Sequence, residues 1–120
     1  MTVFVEVKAR FDEENNLYSA RLMEQAGIRI IYSIPGLKVH AKMALVIRKS
    51  GGQRKRSYAY LSTGNFNEKT ARLYADHGFF TCKDEYMFDL ERLFYYFEDQ
   101  SQIPVFNKLL VTQFNLKQAL

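Results

Sequence analysis

Val3-Phe4-Val5-Glu6-Val7-Lys8, then Asp12-Glu13-Glu14 with Gly27 closing the segment that follows, then Ile28-Arg29-Ile30-Ile31-Tyr32: the reading of these three pieces decides the fold. In the first, valines alternate with other side chains, and a β-branched period of two describes a strand because successive side chains leave a strand on opposite faces. Asp12 is a good helix cap, and Glu13 and Glu14 suit the positive end of a helix dipole. Tyr18, Leu22 and Ala26, four residues apart, predict one apolar helix face ending at Gly27. The third piece, β-branched and apolar, predicts a buried second strand. Strand, helix, strand is a βαβ unit, whose crossover makes the two strands parallel.

Outward from that unit, Ser33-Ile34-Pro35-Gly36-Leu37 is a turn by its Pro-Gly pair. Val39 to Arg48 predicts a strand, Ser50-Gly51-Gly52 a hairpin turn and Ser57 to Leu61 the returning strand. A polar loop at 62–67 follows, and Gly78 to Thr81 predicts a further strand. Thr81 with Asp84 reads as a capping box, opening a long amphipathic helix whose apolar side carries Met87, Leu90, Phe94 and Phe97. Past a polar break at Asp99 to Gln102 and Pro104, Lys108-Leu109-Leu110-Val111-Thr112 reads as one more strand. The expectation is an α/β fold with a mixed sheet and flanking helices, without internal repeats or low-complexity tracts.

The bulk numbers set limits. With 120 residues, 48% of them hydrophobic, the chain suits one compact domain. Lys and Arg outnumber Asp and Glu by 17 to 13, and a net charge of +4 favours anionic partners without choosing among them. Cys82 is the single cysteine, so no internal disulfide forms, and no Cys/His spacing suggests a zinc site. The longest apolar run, Met43 to Ile47, is far short of the roughly 20 residues that span a bilayer. The first residues lack the layout of a signal peptide and start a strand at once, as a piece cut from inside a larger protein would. A cytoplasmic location is the expectation.

Two features carry chemistry. In His40-Ala41-Lys42, residues two apart at a strand start share a face, which puts an imidazole beside an ammonium. A neutral histidine nitrogen is a nucleophile near neutral pH, and a neighbouring lysine steadies the charge of a phosphoryl group under attack. The second is Thr63-Gly64-Asn65-Phe66-Asn67, whose glycine lets backbone approach a ligand and whose amides can donate to phosphate oxygens.

His-x-Lys followed, after a hairpin, by such a loop resembles half of a phospholipase D superfamily site. That superfamily's pattern usually has an aspartate five residues after the lysine, where Ile47 stands here, and often a glycine where Ser62 stands. Val7-Lys-Ala-Arg10-Phe-Asp-Glu-Glu-Asn-Asn16, Pro35 to Lys42, Thr63 to Asn67 and Thr70-Ala-Arg-Leu-Tyr74-Ala-Asp76 together resemble the polyphosphate kinases. The resemblance runs over nearly the whole chain.

The resemblance implies the following. The fold is a phospholipase D-like mixed sheet with flanking helices, an incomplete half of a two-half catalytic unit. Residues 1–102 are part of the first catalytic domain, and 103–120 are a linker and the start of the second. His40 accepts the terminal phosphate of ATP as a phosphohistidine and passes it, reversibly, to inorganic polyphosphate, with Mg2+ required. Lys42, Asn65 and Asn67 serve the phosphate. Asp76 orients His40 in place of the absent aspartate, and Tyr74 contacts ATP. Arg10 matches a magnesium-associated arginine, but a guanidinium offers no lone pair, so it grips phosphate oxygens that the magnesium also binds. Partners are ATP or ADP, polyphosphate, the remaining domains of a longer chain and, in the full-length enzyme, further copies of itself. Nucleic acid is not expected among them. The full-length enzyme is cytoplasmic, with a peripheral membrane association open to it, and the isolated piece is expected to be inactive.

Two other readings of the same residues stand beside this one. A phospholipase D-type nuclease or phosphodiesterase would use His40 and Lys42 on a diester without ATP. A non-catalytic polyanion-binding module would bind by charge alone, strongly dependent on salt, and lose little when His40 is changed. The basic hairpin, Arg48, Lys49, Arg54, Lys55 and Arg56, would serve either as a guide for polyanions or as a solvated edge. No Gly-x-x-x-x-Gly-Lys loop is present, which argues against a P-loop kinase.

Overall fold

Valine alternation and the β-branched second piece give β1 (Thr2–Val5) and β2 (Arg29–Tyr32), paired in parallel with Val3 opposite Ile30 and Phe4 opposite Ile31, although β2 is not the buried strand expected: Ile30 and Ile31 are half-buried and Arg29 and Tyr32 exposed. The computed structural model describes residues 1–8 and 13–120. The expected cap at Asp12 and the expected phosphate grip of Arg10 therefore lie outside the described residues. The chain divides into two compact units, Met1–His40 and Ala41–Leu120.

In the first unit, the crossover helix α1 (Glu13–Gln25) ends as its glycine requires. Gly27 stands at φ +80°, its N–H donates to the Glu24 carbonyl at 2.9 Å, and the Ile28 N–H donates to the Met23 carbonyl at 3.0 Å. These two bonds satisfy carbonyls the helix leaves unpaired, which is the Schellman ending. The buried face is not the expected one. Ala20 is fully buried and Leu17 and Met23 are half-buried, while Tyr18 and Leu22 are exposed. Both stripes have helical spacing, and the small Ala20 allows the closer approach of backbone.

The link that follows contains a tight turn. Leu37 N–H donates to the Ile34 carbonyl at 3.1 Å across Pro35 and Gly36, with Gly36 at φ +77°, the arrangement that favours proline then glycine in a type II turn.

The second unit is built on an antiparallel sheet, β3 (Lys42–Ser50), β4 (Gln53–Ser62) and β5 (Gly78–Thr81), in that spatial order. Gly51 and Gly52, at φ +58° and +76°, form the two-residue hairpin turn, which needs positive φ at both positions to match strand twist. The expected mixed sheet is thus two separate sheets among the described residues, one parallel and one antiparallel. β3 also starts at Lys42 rather than Val39. Its partner β4 ends opposite Lys42 at Ser62, and the Val39 N–H is taken by the Glu6 carboxylate instead of a ladder.

Helix α3 (Asp84–Glu98) covers one face of this sheet. Met87 and Leu90 are fully buried with Ala59, and Met43, Leu45, Leu61, Tyr86 and Leu109 pack around them. Burying a side chain such as Met87 or Leu90 contributes about 1.5–3 kcal/mol. Phe97 is buried as its spacing predicted, with Leu93 beside it and Phe94 only half-buried. The capping box does not form. Lys83 is the cap residue, no side chain bonds to the helix start, and the Thr81 hydroxyl accepts from the Lys83 N–H at 3.2 Å.

Nor is 108–112 a strand. Asp89, fully buried on α3, accepts the backbone N–H groups of Asn107 (2.9 Å), Lys108 (2.7 Å) and Leu109 (3.0 Å), and pairs with Arg92 at 3.1 Å. Three consecutive donors turned on one carboxylate are unavailable to a ladder. Asn115 finishes the job, accepting from Val111 N–H at 2.8 Å and donating to the Leu109 carbonyl at 2.9 Å, before the short α4 (Leu116–Ala119). Among the described residues, no helix is long and apolar enough to cross a membrane.

Candidate functional site

The antiparallel register lines up Lys42, Ser62 and Gly78 across one end of the second unit's sheet. Everything from Thr63 to His77 is the loop that leaves and re-enters the sheet at that end. It is closed by a reciprocal pair: Thr63 N–H donates to the His77 carbonyl at 3.1 Å, and His77 N–H donates to the Thr63 hydroxyl at 2.9 Å. That same hydroxyl donates to Asp76 Oδ1 at 3.1 Å, so the loop closure also aims the carboxylate.

Asp76 lies directly over Gly64. A Cβ at Gly64 would stand 2.5 Å from Asp76 Oδ2 and 2.6 Å from its Cγ. The sequence reading gave this glycine to the approach of a ligand, but here it makes room for a carboxylate. Gly64 N–H is itself turned back onto the Ser62 hydroxyl at 2.9 Å.

Lys42 is half-buried at the start of β3. Burial lowers its pKa, and the Asp76 charge works in the opposite direction, raising it, without cancelling the first effect. The structure therefore brings Lys42 and Asp76 within electrostatic reach of one another. A phosphate oxygen arriving at this partly desolvated ammonium would stabilise its protonated form further.

The two asparagines have different surroundings. Asn67 caps the short α2 (Glu68–Ala71): its Oδ1 accepts from Lys69 N–H at 2.9 Å and Thr70 N–H at 3.1 Å. Its oxygen is thereby committed, which leaves the Nδ2 side as the one able to donate to a ligand. Asn65 is exposed on the loop. Tyr74, in the turn after α2, is 69% exposed.

His40 is the exposed last residue of the first unit, while Lys42, Asn65, Asn67, Tyr74 and Asp76 belong to the second. Within the first unit, the residue next to His40 is tied down: Val39 N–H donates to Glu6 Oε2 at 2.9 Å. Among the described residues, no group of three His, Cys, Asp or Glu side chains converges on a cation position.

Sequence reasoning missed Thr63 and Glu6. Thr63 stands in the loop the reading did single out, but its partner Asp76 is 13 positions away, and nothing local signals the pair. Of the basic hairpin, Arg54 turns inward, pairing with Glu91 at 2.6 Å and lying over the Phe88 ring at 5.0 Å, whereas Arg48, Lys49, Lys55 and Arg56 are exposed.

Residues 1–103 match the family model described as polyphosphate kinase C-terminal domain 1. The chain is 45% identical over 117 residues to the polyphosphate kinase of Staphylococcus haemolyticus, covering 98% of this chain and 16% of that protein. It is 43% identical over 120 residues to the polyphosphate kinase of Escherichia coli K12, covering all of this chain and 17% of that one. Among solved structures, the crystal structure of polyphosphate kinase from Porphyromonas gingivalis superposes with a TM-score of 0.80 at 48% identity, over 99% of this chain and 20% of that one. The chain thus spans about a sixth of the length of these curated relatives. With the match running through the whole first unit and most of the second, the chain belongs to the polyphosphate kinase C-terminal domain 1 family.

Proposed function

We propose that this chain is a large part of the first of two phospholipase D-like halves in a polyphosphate kinase, with residues 1–102 in that half and 103–120 leading towards the second. The observation that carries the reading is the end of the second unit's sheet, where half-buried Lys42 faces a carboxylate that Thr63 holds and Gly64 accommodates. His40 stands two residues before that lysine in the chain. The substrates on this reading are ATP and polyphosphate, which the names of the relatives support.

In the proposed reaction a ring nitrogen of His40 attacks the terminal phosphorus of ATP. The bond from that phosphorus to the bridging oxygen breaks, and ADP leaves. A terminal oxygen of polyphosphate then attacks the phosphohistidine, the N–P bond breaks and His40 is regenerated; the reverse sequence makes ATP. Lys42 neutralises charge on the moving phosphoryl group, and Asn65 and the Nδ2 of Asn67 donate to its oxygens. Asp76 holds the His40 imidazole in its reactive tautomer, Tyr74 contacts the nucleotide, and Arg10 grips phosphate oxygens. Magnesium, which the family resemblance implies, would arrive on the nucleotide's phosphates and supply charge neutralisation there. The full-length enzyme works in the cytoplasm, at times at the membrane surface, as a homo-oligomer.

The test is acid-labile, base-stable labelling of the full-length parent with terminally labelled ATP and magnesium. Label that disappears in His40→Ala supports the reading. An unlabelled parent that instead cleaves DNA or lipid diesters overturns it.

A further inference from the structure

The link that delivers His40 is fastened by a side chain for which the proposed chemistry has no use. Glu6, half-buried just past β1, accepts on Oε1 from the Ser33 hydroxyl at 2.7 Å and the Lys8 N–H at 3.1 Å, and on Oε2 from the Val39 N–H at 2.9 Å. Ser33 is held in turn, its hydroxyl oxygen accepting from Val7 N–H at 2.8 Å. The Glu6 carbonyl accepts from Asn16 Nδ2 at 3.3 Å, which ties the same residue to α1. Burial raises the pKa of this carboxyl, but the bonds from Val39, Ser33 and Lys8, with the charge of Lys38, outweigh burial and hold it below the ordinary glutamate value.

A glutamate at a strand end satisfies its charge most simply by facing water. This one instead reaches residues 27 and 33 positions away, at both ends of the link that contains the Pro35-Gly36 turn. We infer that Glu6 is a positioning residue for His40, fixing the backbone one residue before the imidazole so that the ring is presented in one place. The inference rests on the reading that His40 takes phosphate from ATP. Misplacing a reacting group by about 1 Å can cost on the order of 10²-fold in rate, so a backbone tie at this point has leverage.

The experiment uses the full-length parent. Glu6→Gln has the same size, and its remaining oxygen can serve Ser33 and Lys8, but its NH2 then meets the Val39 N–H, donor against donor. The labelling rate of His40 at saturating ATP is expected to fall by roughly tenfold or more, with the KM for ATP changed by less than about twofold. Hydrogen exchange of the peptide carrying Val39 should speed up in the same variant. Ser33→Ala is expected to slow labelling by roughly threefold, and Ser33→Thr, which restores a hydroxyl, to recover it. Recovery that follows the hydroxyl is not a property of a generally loosened fold. A wild-type labelling rate in Glu6→Gln, with the parent labelling normally, overturns the role of Glu6 alone. An unlabelled parent overturns the phosphohistidine reading and this inference with it.

Discussion

Lys42 and Asp76 show how a single charge is tuned by its neighbours. Burial pushes the lysine's pKa down and the carboxylate pushes it back up. Asp76→Asn keeps the shape but deletes the opposing charge, so Lys42 is expected to titrate lower still, as read by NMR of the lysine side chain across alkaline pH. In the parent enzyme the same change should slow phosphoryl transfer by roughly 10²-fold. Gly64→Ala reaches the same carboxylate by another route. Its methyl would occupy the space of Asp76 Oδ2, so the carboxylate must leave Thr63, and the transfer rate should fall alongside that of Asp76→Asn. If Gly64→Ala kept the full rate, the placement of Asp76 would not matter to the reaction.

At the scale of elements, stability is concentrated where side chains satisfy backbone. The helix α1 stops at a glycine in the left-handed region with open space around it, so Gly27→Ala meets no clash and costs only the conformation, about 1 kcal/mol by chemical denaturation. Asp89 is a larger investment of structure. Asp89→Ala would leave the N–H groups of Asn107, Lys108 and Leu109 without their shared acceptor and take one partner from Arg92, and an expected loss of about 2–3 kcal/mol should appear together with faster exchange at Asn107 to Leu109. The Glu6 tie has a pH signature. Its folded pKa lies below the unfolded one, so its stabilisation is present above the unfolded pKa and is lost as pH falls through the lowered folded value. The difference in melting temperature between the unchanged protein and Glu6→Gln should therefore shrink on acidification.

For the molecule as a whole, the division of the chain sets the expectation. His40 and Lys42 belong to different compact units, and the chain spans about a sixth of its relatives. The proposed two-half site would draw further donors from the second half. The isolated chain, incubated with labelled ATP under conditions that label the parent, is accordingly expected to stay unlabelled. A labelled fragment would show that this half suffices for the first transfer.

Local signals, those set by neighbours in sequence, were legible without coordinates. Valine alternation, the Gly27 stop, the Pro35-Gly36 turn and the Gly51-Gly52 hairpin each depend on φ preference or side-chain period within a few residues, and each appears where the sequence puts it. The resemblance to polyphosphate kinases was legible too, because four ordered segments carry it, and the family match agrees. What the sequence could not decide were choices made between residues distant along the chain. Two helical stripes on α1 were equally well spaced, and only packing selected Ala20 over Tyr18 and Leu22. Lys108 to Thr112 has strand composition, yet Asp89 takes the N–H groups at its start and a ladder cannot form. Thr63 with Asp76, and Glu6 with Ser33 and Val39, are likewise partners across 13 to 33 positions. Sequence alone determined which conformations each segment favours, because those preferences are short-ranged. Tertiary structure alone decided which polar groups meet, because a buried donor must find its acceptor wherever the folded chain places one.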